Sequence, residues 1–126
     1  MRNILLLPFA LFAFSAGSAA RADEPATTIA RIGQRVSVDG PMVTPIRVLE
    51  DSRCPMEARC AWAGQVRLLV RIGMGRNRTM REITSNLPID IADGALELVS
   101  VMPPQSTRRT LRTRDYRFAF RFSGGI

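Results

Sequence analysis

The stretch from Asp51 to Gly64 reads DSRCPMEARCAWAG and holds the only two cysteines of the chain, Cys54 and Cys60. Paired thiols do one of three things: cycle as a redox couple, ligate a metal, or close a covalent ring. A redox couple normally takes the C-x-x-C spacing, and five residues separate these two. A thiol metal site needs further ligands, and there is no histidine anywhere in the sequence. In an oxidising compartment an even cysteine count makes a Cys54–Cys60 disulfide the expectation. Loop-closure entropy gives so short a ring about 2 to 2.5 kcal/mol, so it fixes a local shape more than it holds a fold together.

Few other residues suit catalysis. Without histidine or lysine, a Ser-His-Asp triad, a Cys-His pair and a lysine Schiff base are unavailable, so the chain is expected not to be an enzyme. Carboxylates remain at Glu50, Asp51, Asp90 and Asp93. Glu50 and Asp51 are neighbours on a strand, which turns them to opposite faces rather than onto one substrate. Solvation and turn capping are their expected roles. Five methionines beyond the first residue, Met42, Met56, Met74, Met80 and Met102, show no clustered spacing for Cu(I), and core filling is the simpler role. No metal or cofactor is expected.

The compartment is read from the first residues. Arg2 precedes an apolar run of 11 residues from Ile4 to Phe14, and small residues from Ser15 to Ala20 come next. That order reads as a secretory signal peptide over residues 1–22, since a membrane-spanning helix needs about 20 apolar residues. Cleavage after Ala22, or after Ala20, places no cysteine at the new terminus for lipid attachment. The expected mature chain, 23–126, is a single small domain, periplasmic or secreted, with no transmembrane segment and monomeric.

All 18 basic residues are arginine, against 11 acids; removing Arg2 and Arg21 leaves 16. A codon bias toward arginine accounts for the absence of lysine but not for its distribution. One run, Arg67 to Arg81, meets no acid before Glu82; a second, Arg108, Arg109, Arg112, Arg114, Arg117 and Arg121, is accompanied by Asp115 alone. Were the two runs neighbours, one face would be strongly positive. Arg108, Arg109 and Arg112 are taken as the expected basic face.

The elements that must position these groups read as strands. Val66, Leu68, Val70 and Ile72 alternate with Arg67, Leu69 and Arg71, the period of a half-buried strand. Tyr116, Phe118, Phe120 and Phe122 alternate with Arg117, Ala119 and Arg121 in the same way. This parity sends the aromatics to the core, away from the arginines, and so argues against a nucleic-acid platform of stacking rings. Further strands are expected over 34–38, 46–50, 79–84 and 96–101, with a hairpin at Asp93-Gly94. No helical stripe of useful length comes after the leader. Short strands at this spacing predict an all-β domain, a small antiparallel sandwich or barrel, with one disulfide-stapled loop.

The stapled loop then joins the strand ending near Glu50 to the one beginning near Gln65. Asp51 and Ser52 are expected to cap local amides, Gly64 to turn the chain back, and the single tryptophan, Trp62, to pack beside the disulfide with its N–H on a carbonyl. Asp51, Ser52, Arg53, Cys54, Pro55, Cys60, Trp62 and Gly64 form D-S-R-C-P-x4-C-x-W-x-G. This pattern resembles a group of uncharacterised bacterial exported proteins and lipoproteins with small all-β domains. The resemblance implies fold and export, and supplies no activity; unlike the lipoproteins, this chain has no cysteine for lipid attachment.

The sequence supports three functional expectations. The first is a non-enzymatic binding or envelope-structural protein that recognises a partner through the ring and its flanks: Arg53, Met56, Glu57, Arg59 and Trp62. The second is a protease inhibitor presenting the ring residues, since a closed ring saves ordering entropy on binding. In the third, Arg108, Arg109 and Arg112 bind anionic envelope material. The partner is an unidentified protein or anionic envelope component, not nucleic acid.

Overall fold

The computed structural model describes residues 8, 10–14, 17 and 26–124; the expected cleavage positions after Ala20 and Ala22 lie outside the described residues. Among the described residues there are eight strands: β1 (Thr28–Ala30), β2 (Val36–Ser37), β3 (Met42–Asp51), β4 (Val66–Met74), β5 (Asn77–Thr84), β6 (Ile89–Ile91), β7 (Gly94–Met102) and β8 (Arg117–Gly124). A 3₁₀ turn, Thr113–Asp115, precedes β8. Among the described residues no helix is long and apolar enough to cross a membrane.

The strands form two antiparallel sheets, ordered β1-β8-β7-β6 and β2-β3-β4-β5. Their inner faces share one core: Val43, Val66, Leu68, Val70, Ile72 and Ile83 from one sheet meet Ala30, Leu96, Leu98, Phe118, Phe120 and Phe122 from the other. β4 keeps the expected alternation, with Val66, Leu68, Val70 and Ile72 buried. In β8 Phe118 and Phe120 are fully buried and Phe122 nearly so. Ala119 faces the other way and is nonetheless buried, between Ile29 of β1 and Ser100 of β7, because a methyl group is covered by its neighbours' side chains.

β3 is twice as long as the expected 46–50 segment and carries two bulges, at Ile46 and Leu49. Each bulge inserts one residue and reverses the parity of the residues after it. Val43 and Pro45 point inward, then Val48, then Asp51; Glu50 points outward beside Arg67. The two reversals cancel: the first turns Arg47 outward and Val48 inward, and the second restores the original parity, so the Asp51 carboxylate shares the inward face of Val43 and Pro45 at the end of the core. The hairpin turn lies one residue earlier than expected: Ile91 pairs with Gly94 across Ala92 and Asp93, and Ala92 takes the positive φ of 52°. Gly94 is instead used for closeness, since a Cβ there would strike the Ser123 carbonyl and the Phe122 ring. The three-residue strands β1 and β6 are too short to carry a period of their own.

Candidate functional site

Asp51 ends β3 at the edge of the core, where its side chain is only 6% exposed. The Arg53 guanidinium donates two bonds to it, Nε to Oδ1 and Nη2 to Oδ2, each at 2.8 Å, and the Tyr116 hydroxyl donates a third at 2.9 Å. Arg53 Nη1 donates in turn to the Val101 carbonyl at 2.7 Å. These bonds tie β3, β7 and the entrance of β8 together across both sheets. Burial alone would raise the Asp51 pKa, but the hydrogen bonds from Arg53 and Tyr116 and the Arg53 charge outweigh it and hold the carboxyl below its ordinary value. Burial, and then the bond to ionised Asp51, push the Tyr116 hydroxyl up to about 12. Arg53 is therefore taken up by the fold and not presented to solvent, contrary to its place among the expected recognition residues. Asp51 is likewise more than a turn cap.

From this anchor the chain leaves into the stapled loop. The Ser52 amide donates to the Gln65 carbonyl at 2.9 Å, and the Gln65 amide to Ser52 Oγ at 3.0 Å, which extends the ladder past β3 and β4. Gly64 has φ of +72° and lies against the Ser52 backbone so closely that any Cβ would run into its carbonyl. Only glycine fits there. The Cys54–Cys60 disulfide closes the ring, with its Cα atoms 5.8 Å apart. Inside it the Ala58 amide donates to the Pro55 carbonyl at 3.0 Å, so Pro55–Ala58 is a turn rather than an extended segment.

The ring is docked, not free. The Met56 amide donates to the Gln105 carbonyl at 2.9 Å, while the Glu57 carboxylate accepts from Ser106 Oγ at 2.6 Å and from the Thr107 amide at 2.9 Å. Ser106 Oγ then accepts from the Arg108 amide at 3.1 Å, and Ser106 and Arg109 form a short antiparallel bridge. The Ser106 hydroxyl and the Thr107 amide stabilise ionised Glu57 and lower its pKa. Glu57 thus acts as the tether between the ring and the arginine-rich loop. The ring and the basic loop, two separate candidates in the sequence, are one continuous surface.

What this surface shows to solvent is Met56, Arg59, Trp62, Arg108, Arg109 and Arg112, all exposed. Trp62 is 83% exposed, so the expected packing of its indole beside the disulfide does not occur. The loop turns back through Gly64 before the side chain can reach the core. Arg109, Arg112 and Arg114 line a groove of ≈ 450 Å³ with Thr110 and Asp115, and Asp115 Oδ2 accepts from the Arg112 amide at 2.8 Å.

The other arginine run lies elsewhere. Register places Arg67 and Arg71 of β4 and Arg78 of β5 on the outer face of their sheet, and Arg81 on the side facing β6. Arg67 pairs with Glu82 at 2.6 Å. Arg81 lines a cleft of ≈ 220 Å³ between β5 and β6 with Asp90 and Ile91. The two runs do not merge into one positive face: the first lies on β4, β5 and their turn in one sheet, while the second lies in the loop before β8 and, with Arg117 and Arg121, on β8 in the other sheet. No family model, curated protein or solved structure matches this chain.

Proposed function

We propose that the chain is an exported, non-enzymatic binding protein whose recognition surface is the ring together with the arginine loop docked on it. The observation that carries the reading is the Glu57 tether to Ser106 and Thr107. It docks the ring, with exposed Met56, on the loop that carries Arg108 and Arg109, which form no ion pair among the described residues, and exposed Trp62 follows the ring two residues after Cys60. An indole left in water offers a large apolar area to any partner that covers it, and Trp and Arg dominate the energetics of protein interfaces. The partner chemistry that fits is an acidic protein surface with an apolar centre, with Arg108, Arg109 and Arg112 steering it and Met56, Arg59 and Trp62 making the contact. A disulfide and a leader-like N-terminal sequence support export. The turn at Pro55–Ala58 weighs against protease inhibition, which needs an extended segment in the cleft.

The test is a pull-down from envelope extract with the 23–126 domain, three variants and a salt series. Loss of the same bound protein with Trp62→Ala and with the triple Arg108→Gln, Arg109→Gln, Arg112→Gln is expected, with binding weakening as salt rises. Opening the ring by Cys60→Ser should weaken it as well, since the freed segment must be ordered on binding. A bound protein indifferent to both Trp62 and the three arginines would overturn the reading.

A further inference from the structure

On the outer face of the β2-β3-β4-β5 sheet, Arg35, Arg71 and Arg78 surround a hollow of ≈ 40 Å³ with Met42, Thr44 and Gly73. The three arginines come from three different places in the sheet: Arg35 just before β2, Arg71 in β4 and Arg78 in β5. The floor is Gly73, where the strand offers no side chain. None of the three forms an ion pair among the described residues, and no acid lines the hollow. Two other strand arginines are neutralised by carboxylates: Arg67 by Glu82, Arg121 by Glu97. Three like charges around one depression repel, and a fold gains nothing from holding them there.

We infer that this hollow is a binding site for a phosphate-class oxoanion, held by the Arg35, Arg71 and Arg78 guanidiniums with the Thr44 hydroxyl as a further donor. A guanidinium presents a planar fork of N–H donors that matches phosphate oxygens two at a time, and three forks suit the several oxygens of a phosphate or pyrophosphate group. Gly73 lets the anion approach the sheet between the side chains. The site is separate from the ring: Gly73 lies seven residues along β4 from Val66, a separation of about 24 Å at the rise of a strand. It therefore stands or falls independently of the reading proposed for the ring.

Codon bias explains arginine in place of lysine but predicts nothing about which face the arginines occupy. Their convergence at a glycine floor, without acids, is what points to an anion. The same phosphate chemistry is offered by a free anion and by a lipid headgroup, and both arms belong in the test. Binding of inorganic pyrophosphate to the 23–126 domain is measured by calorimetry at low salt, and co-sedimentation is measured with vesicles of phosphatidylcholine with and without phosphatidylglycerol.

Saturable pyrophosphate binding is expected, weakened roughly tenfold or more by Arg71→Gln and abolished by Arg35→Gln, Arg71→Gln, Arg78→Gln combined. Gly73→Val separates a shaped site from a diffuse field. A Cβ at Gly73 meets only ordinary contacts, 3.7 Å from Met42 Cβ and 4.0 Å from Arg78 Cγ, so a side chain can start into the hollow there, and valine leaves the charge unchanged. It should weaken binding severalfold or more. Arg108→Gln, Arg109→Gln, Arg112→Gln combined removes the same charge elsewhere and should leave pyrophosphate affinity within about twofold. Binding to phosphatidylglycerol vesicles alone, still lost in Gly73→Val, would assign the headgroup as the source. Absence of binding in both arms, or equal loss from the Arg108, Arg109 and Arg112 variant, would overturn the site.

Discussion

The two ends of the β3–β4 pair treat arginine in opposite ways. At the Asp51 end, Arg53 is largely buried and makes two bonds to a carboxylate and one to a backbone carbonyl. Near the Met42 end, Arg71 and Arg78 stand around a glycine with no carboxylate among them. The same residue type is an internal fastener in one place and an unfilled donor in the other. A guanidinium's role is set by whether its hydrogen-bond capacity is met within the fold, and net charge is blind to that distinction. Substitution should therefore affect stability at one end and ligand binding at the other.

Removing Asp51 tests this contrast most severely. Asp51→Ala leaves the Arg53 charge and the Tyr116 hydroxyl without their acceptor, and one-sided removal of a buried pair is costly: a loss of about 3 to 5 kcal/mol is expected by denaturant unfolding. Arg53→Ala should be nearly as damaging, and the double variant should cost clearly less than the sum, because the two act as one unit. Additive losses would mean that Arg53 and Asp51 stabilise the fold separately.

That anchor is only half legible in the sequence. The parity of Val66–Ile72 and of Phe118–Phe122 reveals both central strands, since a regular period of two survives any tertiary context. The β3 bulges leave no such mark: they turn Arg47 outward and Val48 inward, which hides that Asp51 ends on the inward face of Val43 and Pro45. One signal is present: Tyr116 shares the parity of three core phenylalanines, and a buried tyrosine hydroxyl requires an acceptor. Its partner is a carboxylate 65 residues away. The ring is legible as a ring, but its docking depends on Glu57 meeting Ser106 and Thr107, a long-range contact with no local pattern. Trp62 misleads because a lone tryptophan in a small domain is usually core; here Gly64 turns the chain before the indole can arrive.

A second, smaller effect reports the same anchor through pH. Tyr116 is the only tyrosine, so its ionisation is read directly by ultraviolet absorbance. In the fold it should titrate near 12, against about 10 unfolded. Because the folded value is the higher one, its contribution to stability is complete below about pH 10 and is lost as pH rises toward 12. Asp51 acts in the other direction: its lowered pKa contributes stability above the unfolded carboxylate value near 4 and loses it as acid protonates the folded form. Asp51→Asn should flatten the acid limb and return the Tyr116 midpoint toward 10. A tyrosine titrating near 10 in the intact protein would remove the Asp51 bond from the account.

The smallest expected effect carries a sign that discriminates. If Arg35, Arg71 and Arg78 were fasteners like Arg53, replacing all three with glutamine would destabilise the protein by several kcal/mol. As like charges with no carboxylate partner they contribute only mutual repulsion, softened by solvent. The triple variant should therefore unfold within about 0.5 kcal/mol of the parent, with any change toward higher stability at low salt and vanishing at high salt. Pyrophosphate should reverse the order: it should raise the unfolding midpoint of the parent with concentration and leave that of the variant unmoved, because only the parent binds it in the folded state. A variant more stable without ligand and indifferent to it would show three arginines kept at a small cost in stability for something outside the chain. Loss of several kcal/mol without ligand would instead place them with Arg53 as structural residues.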